Sequence, residues 1–284
     1  MKRKILLPTD FSANASKAIQ YALELYKDEA CEFYLLNVFH ATGHLVDSLI
    51  HLEPGSGVYE IAKENSQIGL QKIIDGLILK DKTNTKHTFK TISQFNNTLE
   101  AIKTIVDKKD IDIIVMGSKG KSNERKVVYG STAIYVMEKV RNCPVIVVPE
   151  NVKLNMPKEI VFPTNYDTNF KRREMVYLTD LAKKFNANIA VLRVATSNKL
   201  DNNQEENKLL LEECFEDVKF TIHELQNTNI ETAISIFVES RASDMVAFIN
   251  KKHAFFGSIL TQPLVKDITF QVNVPIMVMH DLKN

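Results

Sequence analysis

The sequence has no tryptophan, three cysteines and nine glycines among its 284 residues. It also lacks a charge bias, since 36 lysines and arginines face 35 aspartates and glutamates. No apolar run approaches the roughly 18–20 residues that a membrane-spanning helix needs. A hydrophobic fraction of 44% with so small a net charge excludes a disordered chain. At roughly 100–200 residues per domain, the length fits two globular domains.

Charge and cysteine distribution exclude further classes. Residues 1–150 carry a net charge of +2 and residues 151–284 one of −1, so neither half has the basic excess of a nucleic-acid-binding protein. The three cysteines are far apart and form no Cys-x-x-Cys pair, which favours buried thiols and a reducing cytoplasm. The apolar run before Pro8 is shorter than the roughly 7–15 residues of a secretory leader, so we expect none.

The main organisational signal is an internal repeat. An apolar run that ends in Pro8-Thr9-Asp10-Phe11 recurs 155 positions later and ends there in Pro163-Thr164-Asn165-Tyr166. A helical pattern and a second apolar run follow each copy. The helical patterns cover residues 13–26 and 169–185, and the apolar runs cover residues 33–39 and 189–194.

The later parts of the two copies match at an offset of 132. Asn97 and Asn229 each read as the N-cap of an amphipathic helix. The change of offset means that the second copy lacks about 24 residues between its second and third strands. The first copy has residues 41–86 there, with a helical pattern over residues 58–79 that we interpret as a sheet-covering helix.

Strands that are continuously apolar and alternate with helices predict a parallel sheet covered on both faces. Each copy reads β-α-β-α-β-α-β-α-β. Sheets of this kind bind ligands beyond the carboxyl ends of their strands, so candidate site residues should follow the strands directly.

Three of the nine glycines lie within 14 residues after the predicted fourth strand, at Gly117, Gly120 and Gly130. Glycine permits a positive φ and lets a phosphate approach the main-chain amides. The run 130–132 (Gly-Ser-Thr) opens a helical pattern, where free amides and the helix dipole favour an anion. The simpler interpretation is a tight turn at the first two glycines and an N-cap at Ser131 or Thr132.

These segments resemble the universal stress protein family in its tandem two-domain form. Gly117, Gly120, Gly130 and Ser131 have the spacing of the family's ATP-binding signature, Gly-x2-Gly-x9-Gly followed by Ser or Thr. The resemblance covers the whole chain and is stronger over residues 1–150 than over 155–281. The other matching segments are 8–12, 112–117 and 143–148.

The resemblance implies an α/β fold of two tandem open parallel five-stranded sheets, with strand order 3-2-1-4-5 and helices on both faces. The domains would be residues 1–150 and 155–284, packed as an internal pseudo-dimer with their fifth strands at the contact. It also implies a cytoplasmic, stress-responsive sensor or regulatory module that binds ATP or AMP, with Mg²⁺ bridging the phosphates, and that acts through an unidentified protein partner. The resemblance does not decide whether the tandem chain forms a homodimer.

The resemblance further implies a set of nucleotide-binding residues. Asp10 would accept a hydrogen bond from the adenine amino group or a ribose hydroxyl, and Val38 would lie against the base. The last glycines and the hydroxyls that follow them would hold the phosphates. The full set is Pro8, Thr9, Asp10, Val38, Met116, Gly117, Ser118, Gly120, Gly130, Ser131 and Thr132. The alternative for Asp10 is a turn or N-cap residue before the first helix.

The second copy departs from this pattern. Asn165 stands where the first copy has Asp10, and larger side chains stand where it has glycines. We therefore expect one nucleotide per chain, bound in the first copy. The residues at the glycine positions are Ile249, Lys252 and Thr261 or Gln262, with Gly257-Ser258 close by but without a preceding glycine pair.

Other functions stay open at this stage. His40, His44 and His51, with Asp47 and Glu53, could bind a metal, but a solvated loop is the more ordinary interpretation. The basic cluster Lys119, Lys121, Arg125 and Lys126 is either a phosphate lid or a solvated loop.

The chain has no Gly-x-Ser-x-Gly elbow, phosphate-binding P-loop or Gly-x-Gly-x-x-Gly turn. An adenylating enzyme would need a Ser- and Gly-rich loop after the first strand, and residues 10–14 do not supply one. A weak ATPase or nucleotidyl-transfer enzyme and a ligand-free interaction scaffold are the alternatives to a nucleotide-binding module.

Overall fold

The structure is a computed structural model that describes residues 2–39, 54–80, 84–120, 129–195, 199–226, 229–250 and 272–280. The strands are β1 (Arg3–Pro8), β2 (Cys31–Phe39), β3 (His87–Phe95), β4 (Ile113–Gly117), β5 (Val145–Val148), β6 (Glu159–Thr164), β7 (Asn188–Ala195), β8 (Phe220–Gln226), β9 (Met245–Asn250) and β10 (Ile276–His280). The helices are α1 (Ala13–Leu25), α2 (Gly57–Lys80), α3 (Thr98–Lys109), α4 (Ser131–Lys139), α5 (Arg172–Phe185), α6 (Asn202–Cys214) and α7 (Ile230–Arg241).

The strands form one sheet in the order β3-β2-β1-β4-β5-β10-β9-β6-β7-β8. Within each half of the chain the strands pair in parallel, and the order 3-2-1-4-5 is present in both halves, as predicted. The fifth strands meet, with β10 antiparallel to β5 and Ile276 opposite Val147. The two predicted five-stranded sheets are therefore continuous and form a single sheet of ten strands.

Each central strand is buried on both faces, because its side chains alternate between two hydrophobic clusters. In β1, Ile5 and Leu7 face one cluster and Leu6 faces the other. Helices α1, α2, α5 and α6 cover the first face, while α3, α4 and α7 cover the second. Both clusters contain residues from both halves, so each face of the sheet carries one core along its length. The continuously apolar strand segments follow from this double covering.

Helix starts confirm the capping pattern read from the sequence. Asn97 Oδ1 accepts a hydrogen bond from Leu99 N at 3.0 Å at the start of α3. Asn229 Oδ1 accepts one from Thr232 N at 2.8 Å at the start of α7. These side chains satisfy amides that a helix otherwise leaves unbonded, and both helices begin one residue after the asparagine.

About half of the length difference between the halves lies in one helix, which is 11 residues longer in the first half. The 24-residue α2 packs against β2 and β3, which confirms a sheet-covering helix, whereas its counterpart α6 has 13 residues. The fourth helix expected in the second copy falls on residues 251–271, outside the described residues.

Two simpler findings complete the fold. Cys31, Cys143 and Cys214 are free and buried, and burial raises the pKa of the Cys31 thiol to about 11. Among the residues described here, no helix is long and apolar enough to cross a membrane.

Candidate functional site

The turn after β1 is held by its own side chains. Thr9 Oγ1 accepts a hydrogen bond from Phe11 N at 3.1 Å, and Asp10 Oδ1 accepts one from Ser12 N at 3.1 Å. Phe11 has a φ of 64°, in the left-handed region, and Ser12 is the N-cap of α1. Asp10 thus orders the turn without capping the helix. One of its carboxylate oxygens serves the turn.

The end of β2 supports the same turn. Asn37 is 6% exposed and its Nδ2 donates to Thr9 O at 2.7 Å. The next residue, Val38, is partly buried and lines the cavity described below. A buried amide therefore fixes the main chain beside Asp10.

The loop after β4 is fixed by main-chain hydrogen bonds. Ser118 N donates to Val148 O at 2.9 Å, and Gly130 N donates to Ser118 O at 2.7 Å. A Cβ at Gly120 would lie 2.5 Å from Asp10 Oδ2, so the absence of a side chain there lets the Asp10 carboxylate pack against the loop.

Helix α4 presents its amino terminus to the same place. Gly130 is its N-cap and has no side chain to bond the first amides, and Ser131 and Thr132 are exposed. No acidic residue lies in the first turn. This end is electropositive, with main-chain amides available to an anion.

The three motif glycines do not adopt a left-handed backbone conformation. Gly130 has a φ of −74°, and neither Gly117 nor Gly120 has a positive φ. Of the two roles that the sequence allowed for these glycines, a positive φ is therefore wrong, and the approach of a phosphate to the main-chain amides stays a prediction.

These elements enclose a cavity of about 180 Å³ at the carboxyl ends of β1, β2 and β4. All eleven residues expected from the sequence line it. Lys119, noted in the sequence as a candidate charge, lines it too. Four further residues line the cavity that were not expected from the sequence, namely Ala15, Leu36, Thr98 and Ala133. Thr98 follows the Asn97 cap directly after β3, so the rule that sites follow strand ends could have found it.

The described lining of the cavity includes two charged side chains. Asp10 is the acid and Lys119 the base among the lining residues that the structure describes. Lys119 Nζ forms an ion pair with Glu150 Oε2 at 2.8 Å, and its side chain is 19% exposed. The other basic residues of the expected cluster, Lys121, Arg125 and Lys126, lie outside the described residues.

The second half repeats the first turn. Thr164 Oγ1 accepts a hydrogen bond from Tyr166 N at 3.0 Å, and Tyr166 has the same φ of 64° as Phe11. Asn165 Oδ1 accepts one from Asp167 N at 3.2 Å. The turn geometry therefore does not depend on the change from aspartate to asparagine.

Side chains from α6 close over the second turn. Gln204 Nε2 donates to Asn165 O at 3.1 Å and to Asp167 Oδ1 at 2.9 Å. Asn207, 4% exposed, donates to Tyr166 O at 2.8 Å.

The sheet below this turn differs as well. Ile249, 5% exposed, stands at the position of Gly117. Arg193, paired with Glu224 at 2.7 Å, stands at the position of Asn37. Residues 252, 257, 258, 261 and 262, named from the sequence for this half, lie outside the described residues.

Metal ligation was the other candidate site. Among the parts of the chain that the structure describes, no three His, Cys, Asp or Glu side chains are grouped to hold a metal ion. The candidate histidines at 40, 44 and 51, with Asp47 and Glu53, lie outside those parts.

A mostly parallel sheet with helices on both faces and a cavity at the carboxyl ends of its strands defines an α/β protein, in the architecture whose ligands bind at that edge. A family model described as the universal stress protein family matches residues 1–149, more than half of the chain. The chain belongs to the universal stress protein family, in a tandem form that contains the fold two times, once in each half.

Individual relatives agree with this assignment. Two universal stress proteins of Methanocaldococcus jannaschii are 29% and 30% identical to this chain. The first match covers 53% of this chain and 84% of the relative, the second 52% and 95%. The crystal structure of a universal stress protein from Archaeoglobus fulgidus is similar over 98% of both chains, with a TM-score of 0.69 and 18% identity. That similarity concerns the fold, and it extends over both halves.

Proposed function

We propose that the first half binds an adenine nucleotide, ATP or AMP, and that the chain is a stress-responsive regulatory binding module. One observation carries the proposal. The eleven residues that the family's ATP-binding pattern singles out, drawn from four separate segments, converge on a single cavity at the ligand edge of the sheet.

The chemistry of the lining fits the parts of a nucleotide. Asp10 Oδ2 faces the loop, and the carboxylate can accept a hydrogen bond from an adenine amino group or a ribose hydroxyl. Val38 offers an apolar surface to the base. Met116 and Gly117 would pass beneath the ribose and the α-phosphate.

The phosphates would lie at Gly120 and at the start of α4. The Gly130 N-cap leaves first-turn amides without a side-chain acceptor, and the hydroxyls of Ser131 and Thr132 add donors. Mg²⁺ would be held chiefly by phosphate oxygens, as is usual where a protein supplies few ligands.

The size of the cavity indicates how the ligand would sit. Its 180 Å³ is less than the roughly 300–1,000 Å³ typical of small-molecule sites. A nucleotide would fill it and extend through its mouth. A ligand that projects from the protein suits a module whose bound state is read by a protein partner.

We also propose a single nucleotide per chain. In the second half, Gln204 and Asn207 occupy the main-chain acceptors above the turn, and Ile249 replaces the first motif glycine. Side chains of α6 thus cover the turn that corresponds to Asp10, and a bulky side chain stands at the sheet edge where the first half has a glycine.

Hydrolysis would be slow at best. Asp10 Oδ1 accepts a hydrogen bond from Ser12 N, so one of the two oxygens of this carboxylate is committed to the turn. No other carboxylate or histidine among the described residues lines the cavity to activate a water.

The test is to purify the protein, denature it by heat and identify any released nucleotide by chromatography. Calorimetric titration with Mg-ATP and with AMP then compares the wild type with Gly120→Val, whose new Cβ would meet the Asp10 carboxylate. Gly76→Val in α2 is the matched control, because a Cβ there meets nothing within 4 Å.

Binding by the wild type and the control that Gly120→Val loses supports the proposal. Absence of both bound and titrated nucleotide supports a ligand-free scaffold. Steady phosphate release that Gly120→Val abolishes supports the enzyme alternative.

A further inference from the structure

Asn14 is a buried polar residue that connects three segments of the first half. It lies in the first turn of α1 and is 3% exposed. Its Nδ2 donates to Val148 O at 3.0 Å, at the end of β5. Its Oδ1 accepts from Lys119 N at 2.9 Å and from Ser118 Oγ at 3.4 Å, in the loop after β4. The amide thus joins α1, β5 and the loop that lines the cavity.

The first motif glycine packs directly against this amide. A Cβ at Gly117 would lie 2.9 Å from Asn14 Oδ1, 3.0 Å from its Cγ and 3.1 Å from its main-chain carbonyl carbon. Real Cβ atoms are rarely so close to other atoms, and the backbone at Gly117 needs no positive φ. The steric demand at Gly117 therefore comes from Asn14.

We infer that Asn14 is the positioning residue of the cavity, and that Gly117 is a glycine to admit Asn14 and not to admit the ligand. Asn14 holds the Lys119 amide and so sets the path of residues 117–120. The inference rests on the proposed function only where it concerns affinity for a nucleotide.

The second half has no asparagine at the corresponding place. Helix α5 buries Glu174 in its first turn, where α1 buries Asn14, and Ile249 stands at the position of Gly117. The buried asparagine and the glycine beside it are thus both replaced in the second half.

The first experiment needs no ligand. Amide hydrogen exchange, followed by NMR, compares Lys119 in the wild type and in Asn14→Ala. We expect its exchange to accelerate at least about tenfold, the factor that one lost buried hydrogen bond allows. Asn207→Ala is the control, because Asn207 is also a buried amide that holds a turn, in the other half. It should lower stability without a selective change at Lys119.

The second experiment measures Mg-ATP affinity in a double-mutant cycle. Asn14→Ala should weaken binding by about tenfold. Gly117→Ala should weaken it strongly in the wild type and less in the Asn14→Ala background, because two of the three close atoms are then gone. Circular dichroism confirms that each variant is folded.

The outcomes separate the two claims. Unchanged exchange at Lys119 in Asn14→Ala, or equal effects of Gly117→Ala in both backgrounds, overturns the inference. A wild type that binds no adenine nucleotide overturns the proposed function, while the exchange data still decide whether Asn14 positions the loop.

Discussion

The two halves share a turn and differ in what lies around it. Thr9 and Thr164 bond the amide two residues ahead in the same way, and Phe11 and Tyr166 share a φ of 64°. Around the first turn lie two glycines and a cavity. Around the second, Gln204 and Asn207 bond its main chain, from the shorter helix α6.

This difference separates the requirements of the fold from those of binding. The sheet order and the turn are present twice, so they do not depend on a ligand site. The change from Asn37 to Arg193 and from Gly117 to Ile249 leaves the strands and their pairing intact. Among the described residues, the two edges differ in a handful of side chains at the strand ends.

The largest effect is expected from Gly130→Val. The φ of −74° at Gly130 suits a valine, so the backbone can stay as it is, but the side chain would stand in front of the first amides of α4. We expect Mg-ATP affinity to fall at least about 100-fold, or about 3 kcal/mol, with little change in melting temperature. Calorimetry and thermal unfolding measure the two effects, with Gly76→Val as control. Retained affinity would count against phosphate binding at this helix.

A smaller effect is expected when Asp10 is changed to the residue of the second half. Asp10→Asn keeps the oxygen that bonds Ser12 N but removes the negative charge offered to the adenine amino group or a ribose hydroxyl. We expect about a tenfold loss of affinity, because hydrogen bonds to charged groups contribute about 1.5–3 kcal/mol and one neutral acceptor remains. Asn165→Asp is the matched control and should leave the stoichiometry at one nucleotide per chain. A second bound nucleotide in that variant would refute the account of the closed half.

At the opposite ends of the strands, we also expect the two halves to differ in how low pH affects their stability. Arg241 donates to Glu159 from Nε at 2.8 Å and from Nη2 at 2.5 Å, and Ser243 Oγ donates at 2.8 Å. These hydrogen bonds, Arg241 foremost, hold the pKa of Glu159 below its ordinary value. Lys4 occupies the corresponding place in the first half.

A lowered folded-state pKa stabilises the protein above the ordinary value, and that contribution is lost as the pH falls through the folded-state pKa. Glu159→Gln should cost roughly 1 kcal/mol or less near neutral pH, since the ion pair is partly exposed, and should flatten the acid limb of a melting-temperature profile. An acid limb identical to that of the wild type would show that other carboxylates control it.

The smallest effect is expected from Glu150→Gln. The ion pair with Glu150 holds Lys119 beside the cavity, and its loss would free the ammonium group for a phosphate. We expect Mg-ATP to bind about two- to threefold more tightly, in keeping with the small energies of exposed ion pairs. The gain should shrink as salt is raised, and weaker binding would mean that Glu150 positions Lys119 productively.

Much of this molecule could be predicted from local pattern. Continuous apolar strands indicated the doubly covered sheet, Asn97 and Asn229 marked two helix starts, and the family spacing selected residues that line one cavity. These features depend on short stretches of sequence, so they can be recognised without the structure.

What the sequence did not reveal depends on contacts between distant residues. Asn14 reads as an ordinary residue of a first helical turn, and its hydrogen bonds are to residues more than 100 positions away. The left-handed conformations fall on Phe11 and Tyr166, not on the motif glycines, because the threonine hydroxyls stabilise the turn. Gln204 and Asn207 lie on α6, the shorter of the two corresponding helices. The hydrophobic periodicity of a helix does not predict that its polar side chains contact the turn after β6.

The antiparallel pairing of β5 with β10 has a directional consequence. Because every other neighbouring pair runs parallel, strands of the two halves point opposite ways along the shared sheet, and their carboxyl ends emerge at opposite rims. The cavity of the first half and the corresponding turn of the second half therefore lie at opposite rims of one sheet, so that a molecule in contact with one of them does not cover the other.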